Sequence, residues 1–336
     1  MPPPSHPWPE RPFSLISTTP YLDYVDLLPA RQDAVRVARL MALTHNTIFR
    51  AFNAIYQQPE SIHPLNAADV NSFIEFTICA IDFLENHHRC EELVFFPMLE
   101  AQAGIPGLMG DNVEQHRAFQ GPLRALRGYL KLVRLGAFPF DVFEFRDIID
   151  ELAPVLERHL HDEIPSILEA GTHMSDEAMS ACYKALHDEA EGTADAFKVG
   201  PFVMGCQDDT HLVDGRQIAF PELPFSLAPY LVEHVVARRH ADVWRFCPST
   251  FHGRPRKTEF LSGKFGATDC GSTVEEDVAG DRTELAVKGG SKKKSGGRIG
   301  LVRPWILPSI AVVFLLLVWL RLYLGILFPE CSREGL

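Results

Sequence analysis

Two histidine–glutamate pairs, His87 with Glu91 and His159 with Glu163, interrupt apolar stretches of helical periodicity. Each pair is spaced i, i+4, and residues so spaced share one face of a helix, so each pair can present an imidazole nitrogen and a carboxylate oxygen to the same point. His45 and His116 fall within two further apolar stripes. A carboxylate among aliphatic side chains is costly unless it is paired or coordinates a cation. Neutral imidazole together with carboxylate suits iron, zinc or manganese. The chemistry indicated is the holding of a transition metal inside a helical core, with His45, His87, Glu91, His116, His159 and Glu163 as the candidate ligands.

Spacing alone does not select them. Fourteen histidines and 24 glutamates in 336 residues give about one H-x-x-x-E by chance, and the chain has six. His6–Glu10, His173–Glu177 and His187–Glu191 lie off the apolar stripes and read as surface pairs. His88–Glu92 is the central pair displaced by one residue, which is expected to rotate it away from the core. His161 and Asp162 are expected in solvent, Asp162 standing in only if Glu163 faces outward. Cys90 reads as helix packing.

The elements that must position these groups follow from the periodicity. From Arg31 to about Lys198 the pattern is helical, with breaks near Pro59–Pro64, Gly104–Gly110, Gly136–Pro139 and Gly171–Ser175. The buried stripes expected are Val37, Met41, Ile48, Phe52, Ile55; then Phe73, Phe76, Ala80, Leu84, Val94, Met98; then Val113, Leu123, Leu130, Val133; and last Phe145, Ile149, Leu152, Leu156, Ile167. Four long helices and a shorter fifth with short connections favour antiparallel neighbours. The fold expected is all-α: an up-and-down four-helix bundle with an extra helix.

The expected organisation is a Pro-rich arm over 1–28, the bundle over 29–199, a Pro- and aromatic-rich extension packing on the bundle over 200–262, and a flexible basic linker over 263–300. A transmembrane helix over 301–328 and a short tail over 329–336 complete it. Within the extension, Ala228–Ala241 reads as a helix with an apolar edge of Leu227, Tyr230, Leu231 and Val235, more consistent with a flap over the bundle end than with membrane-surface binding.

Composition narrows the function. The net charge is −12, and Lys292 to Arg303 holds five cations and no acid, so the body is more acidic still and poorly suited to nucleic acid. Seven scattered cysteines without a C-x-x-C pair argue against a disulfide scaffold or a thiolate zinc site. Trp305 to Leu320 is uncharged, and after Arg321 the apolar run resumes as Leu322 to Phe328. A spanning helix needs roughly 20 apolar residues. The run reaches that length if Arg321 snorkels, against ~2.5–3.5 kcal/mol for an arginine at mid-membrane. Basic residues on its amino-terminal side place the body in the cytosol, as a single-pass C-terminal anchor in endoplasmic reticulum or mitochondrial outer membrane.

At His45, at His87-His88-Arg89-Cys90-Glu91-Glu92 ending in Phe95-Phe96-Pro97, at Glu114-Gln115-His116, and at His159-Leu160-His161-Asp162-Glu163, the chain resembles the hemerythrin-like, HHE cation-binding family. The stretches from Thr44 to Ala51 and from Leu152 to Pro165 are similar to its fungal branch, and the likeness covers roughly residues 30 to 260. The resemblance implies a non-haem di-iron site. His45, His87, His116 and His159 would be terminal nitrogen ligands, Glu91 and Glu163 carboxylate ligands, and the partner dioxygen, nitric oxide or iron itself. Oxygen carriers of the family have a second histidine one turn after the third-helix ligand; here that place is Gln120, which leaves six protein ligands. Pro122, inside the third helix, is expected to kink it beyond His116. The alternative is a structural bundle holding one metal, such as zinc, and acting as a membrane-tethered interaction scaffold. The residue set fits metal or small-ligand binding better than catalysis, and no phosphate loop or Ser/His/Asp set points to another chemistry.

Overall fold

A computed structural model describes residues 11–17, 32–208, 212–213, 216–217, 220–221, 228–256 and 260. The chain divides into two units, Met1–Gly271 and Ser272–Leu336. The second, with the basic linker's greater part and the expected transmembrane helix over 301–328, lies outside the described residues. Among the described residues no helix is long and apolar enough to cross a membrane.

The described part is helical apart from a small antiparallel ribbon, Leu212–Val213 with Arg216–Gln217. The helices are α1 (Gln32–Gln57), α2 (Ala67–Cys90), α3 (Phe96–Ala103), α4 (Gly110–Arg134), α5 (Val142–Thr172), α6 (Asp176–Thr193), α7 (Ala196–Cys206) and α8 (Ala228–Leu231). A π-helical turn, Glu91–Phe95, joins α2 to α3 in one continuous rod. This rod, α1, α4 and α5 form the bundle: α1 packs on α2 and α5, and α4 packs on the same two. Local chemistry sets the ends. Asn66, Asp141 and Ser175 cap the amino termini of α2, α5 and α6 through their side-chain oxygens. Gly104 and Gly136, both with φ of 70°, turn the chain out of α3 and α4.

The apolar stripes point inward as expected on α1 and α5, where Val37, Phe52, Ile55, Phe145, Ile149, Leu152 and Leu156 are fully buried. On the second rod the expectation holds through Leu84 and then slips. Phe95, Phe96 and Leu99 are the buried residues, and Val94 and Met98 are only partly covered. The π-turn is the reason: one extra residue in a turn rotates everything after it by roughly 100°, which a strict 3.6-residue count does not foresee.

Pro122 does not break α4, nor Pro154 and Pro165 α5. Ala118, whose carbonyl loses its partner to Pro122, is exposed to water. α4 thus runs on beyond His116 without a break. Gly171 lies where α5 crosses α1, and a methyl group there would collide with the Ala34 side chain.

Residues 11–17, within the expected arm, form a strap. Asn53 exchanges two hydrogen bonds with the Phe13 backbone, at 2.8 Å each, and Asn46 does the same with Ile16 at 2.7 and 2.9 Å. On its other side the Ser14 amide donates to Glu157 and the Ser14 carbonyl accepts from His161. The strap thus ties α1 to α5. In the extension, Phe246 packs on Phe73 and Phe76, Gln58 donates to the Phe246 carbonyl, and Arg245 pairs with Asp69 at 2.7 Å. The expected helix over Ala228–Ala241 is α8 continued by a π-turn and a 3₁₀ turn, with Leu231 buried but Tyr230 and Val235 exposed; Leu227 lies outside the described residues.

Candidate metal centre

The bundle interior brings together all six residues singled out by sequence. His45 (α1), His116 (α4), His159 and Glu163 (α5), and Glu91, first residue of the π-turn, are buried; His87 (α2) keeps a 9% exposed side chain. His88 joins them. It is 5% exposed, and its ring lies 4.3 Å from that of His116 and 4.9 Å from that of His159. The expectation that the His88–Glu92 pair faces away from the core is thus overturned for His88, whereas Glu92 is exposed as expected. His88 follows Leu84 by four residues and Glu91 by minus three, so it flanks the buried stripe on the side opposite His87. Asp162, the reserve ligand, is exposed and accepts from Gln115 at 2.9 Å, whereas Glu163 points inward. Cys90 is buried in the core, as expected for packing. Gln120 is exposed, and Phe119 lies against the histidine cluster instead.

The seven groups fall into two sets whose potential ligand atoms lie within 4.8 Å of one another: His45, His87, Glu91 and Glu163, and His88, Glu91, His116 and His159. Glu91 straddles them, with Oε1 2.9 Å from His87 Nε2 and Oε2 3.7 Å from His116 Nε2. Glu163 straddles them too, its Oε2 3.3 Å from His45 Nε2 and 3.8 Å from His159 Nε2.

Partners around the cluster fix which nitrogen faces in. His45 Nδ1 lies 2.7 Å from the Leu160 carbonyl, which can only accept, so in the neutral ring Nδ1 carries the proton and Nε2 a lone pair. His116 Nδ1 donates to Glu92 at 2.7 Å. His159 Nδ1 donates to Gln115 Oε1 at 3.3 Å, and the Gln115 amide nitrogen is held by Asp162, which sets the amide's orientation. Three Nε2 lone pairs therefore converge on the interior. Neither oxygen of Glu91 or Glu163, and neither nitrogen of His88, makes a hydrogen bond.

Burial disfavours the charged form of four of the imidazoles. It pulls His87 down to about 4 and lowers His88, His116 and His159 as well. Burial also pushes Glu91 up, and the neighbouring Glu163 pushes it further. Burial works in the same direction on Glu163, but the basic imidazoles of His45, His159 and His87 around it outweigh burial and hold that carboxyl at about 2. A dry pocket with converging lone pairs and orphaned carboxylate oxygens is the donor set of a cation site. Buried acceptors of this kind are otherwise expensive, and the residues present fit a transition metal.

Fold and site together define a four-helix bundle that can hold a metal cation between its helices. Residues 36–170 match the Hemerythrin HHE cation binding domain. Over 256 residues the chain is 32% identical to dimeric xanthone biosynthesis cluster protein R11 of Cryptosporiopsis sp. (strain 8999), covering 76% of this chain and 91% of that protein. The chain belongs to the hemerythrin HHE cation-binding family. No solved structure matches it.

Proposed function

We propose that this protein holds two iron ions and uses them to bind or sense dioxygen, nitric oxide or iron itself. The observation that carries the reading is the split of seven buried donors into two sets with Glu91 common to both. Two sets favour two metals: a single zinc would leave the second set with bare lone pairs and a carboxylate oxygen uncompensated. His45, His87, Glu91 and Glu163 would hold one ion, and His88, His116 and His159 with Glu91 the other. Iron so held supplies redox capacity and exchangeable positions for a small diatomic ligand. The chain's own part is to exclude water, to fix the imidazole tautomers through Leu160, Glu92 and Gln115, and to keep the ligating nitrogens unprotonated.

The apolar run over 301–328 supports a further part of the proposal, a single-pass C-terminal anchor that keeps the bundle in the cytosol. The likeness to a relative named for a xanthone biosynthesis cluster supports a role beside biosynthetic enzymes.

The experiment is metal analysis of the full chain purified without added metal. Two irons per chain are expected, with charge-transfer absorption that changes on exposure to oxygen or nitric oxide. His87→Ala combined with Glu91→Ala should empty the site. One zinc per chain, or iron unaffected by the double variant, overturns the reading.

A further inference from the structure

Beside the histidine cluster lies a second cavity, of about 430 Å³, between α1, α2, α6 and α7. That volume falls within the range of small-molecule sites. His87 is common to the cavity wall and the candidate metal centre, and the 9% of its side chain left exposed makes it the most accessible of the seven donors.

The wall specifies what the cavity can take. It is mostly apolar, and its aromatic members are Phe83, Tyr183, Phe202 and Phe220. Phe83 lies with its ring plane parallel to that of His87, at an interplanar angle of 1°. Such faces favour flat, aromatic guests, through offset or edge stacking worth ~0.5–1.5 kcal/mol beyond area burial. Lys198, the one lysine or arginine in the wall, is already matched, and the other charged members are acidic. Asp82 accepts from Arg127 at 2.7 Å, Lys198 donates to Glu75 at 2.9 Å, His187 faces Glu191 at 3.7 Å, and Asp195 caps α7. The Cys79 thiol, pushed up to about 12 by burial, adds no charge. An anionic guest would find no free counter-charge and would lose its hydration, whereas a neutral one loses little.

We propose that this cavity binds a neutral, flat aromatic molecule and holds it beside His87, at the edge of the metal centre. The meaning of that placement rests on the metal reading above; the binding itself does not.

The test uses the full chain, both metal-free and metal-loaded, with xanthone as the uncharged tricyclic probe and xanthone-2-carboxylate as its anionic counterpart, followed by equilibrium dialysis. Xanthone is expected to bind both forms, and the carboxylate at least ten-fold more weakly. Ala190→Trp and Val203→Trp each place an indole into the wall at a half-buried position, and each should weaken xanthone binding at least ten-fold with metal content unchanged. No binding of xanthone to the wild-type chain, equal binding of the carboxylate, or unaltered binding in whichever variant keeps its helical circular dichroism overturns the proposal. Retained xanthone binding in a protein that takes up no iron would sink the metal reading alone.

Discussion

At the scale of single residues, the interior is built as much by the groups behind the imidazoles as by the imidazoles themselves. Glu92 accepts a hydrogen bond from His116 Nδ1–H at 2.7 Å while remaining partly in solvent, and so sets both ring orientation and basicity. Outer partners of this kind commonly carry ~10–100-fold in metal affinity. Glu92→Ala should weaken metal retention by that order while the unfolding midpoint of the metal-free protein changes little; competition with a chelator measures it. His88→Ala should cost more, because it removes a donor with no hydrogen bond of its own, and metal content per chain should fall toward one. His45, His87, Glu91, His116, His159 and Glu163 were legible because polar groups in apolar stripes are conspicuous. His88 was not, because the i, i+4 rule applied to His87 and Glu91 sets their face as the reference. Its own four-residue step from Leu84 was the signal that could have found it.

At the scale of elements, helix breaks were readable from proline, glycine and capping residues, but the π-turn was not. Nothing in local propensity distinguishes Glu91–Phe95 from ordinary helix, and its consequence is the exchange of Val94 and Met98 for Phe95 and Leu99 in the core. The crossing of α1 and α5 offers a test in which two effects oppose. Gly171→Ala gains ~1 kcal/mol of helix propensity, but the added methyl meets the Ala34 side chain, and overpacking typically costs ~1–3 kcal/mol. Both partners are buried on helix backbones that cannot swing aside, so overpacking should win. A lower thermal midpoint is expected; a higher one would mean the helices can part.

At the scale of the whole molecule, the buried imidazoles couple folding to pH. Unfolded, they bind protons near ~6.5; folded, they are held neutral, His87 down to about 4. The unfolded chain therefore carries the extra protons below ~6.5, and the metal-free protein should lose stability as pH falls through that window. Glu91, whose carboxyl is pushed up by burial and by the neighbouring Glu163, works in the opposite sense, but it is one group against the four lowered histidines. Urea titrations at pH 5 and 7 decide: equal midpoints would show that the pocket admits charge. The helical bundle was readable from periodicity; the strap was not, because its seven residues have no period and are placed by the side-chain amides of Asn46 and Asn53. That strap latches together the two helices that supply His45, His159 and Glu163, and every bond in the latch can open without a single helical turn unwinding. Clipping it away should leave a bundle that still folds but breathes along one seam, so that its cargo leaks to a scavenger within the time an intact molecule would keep it.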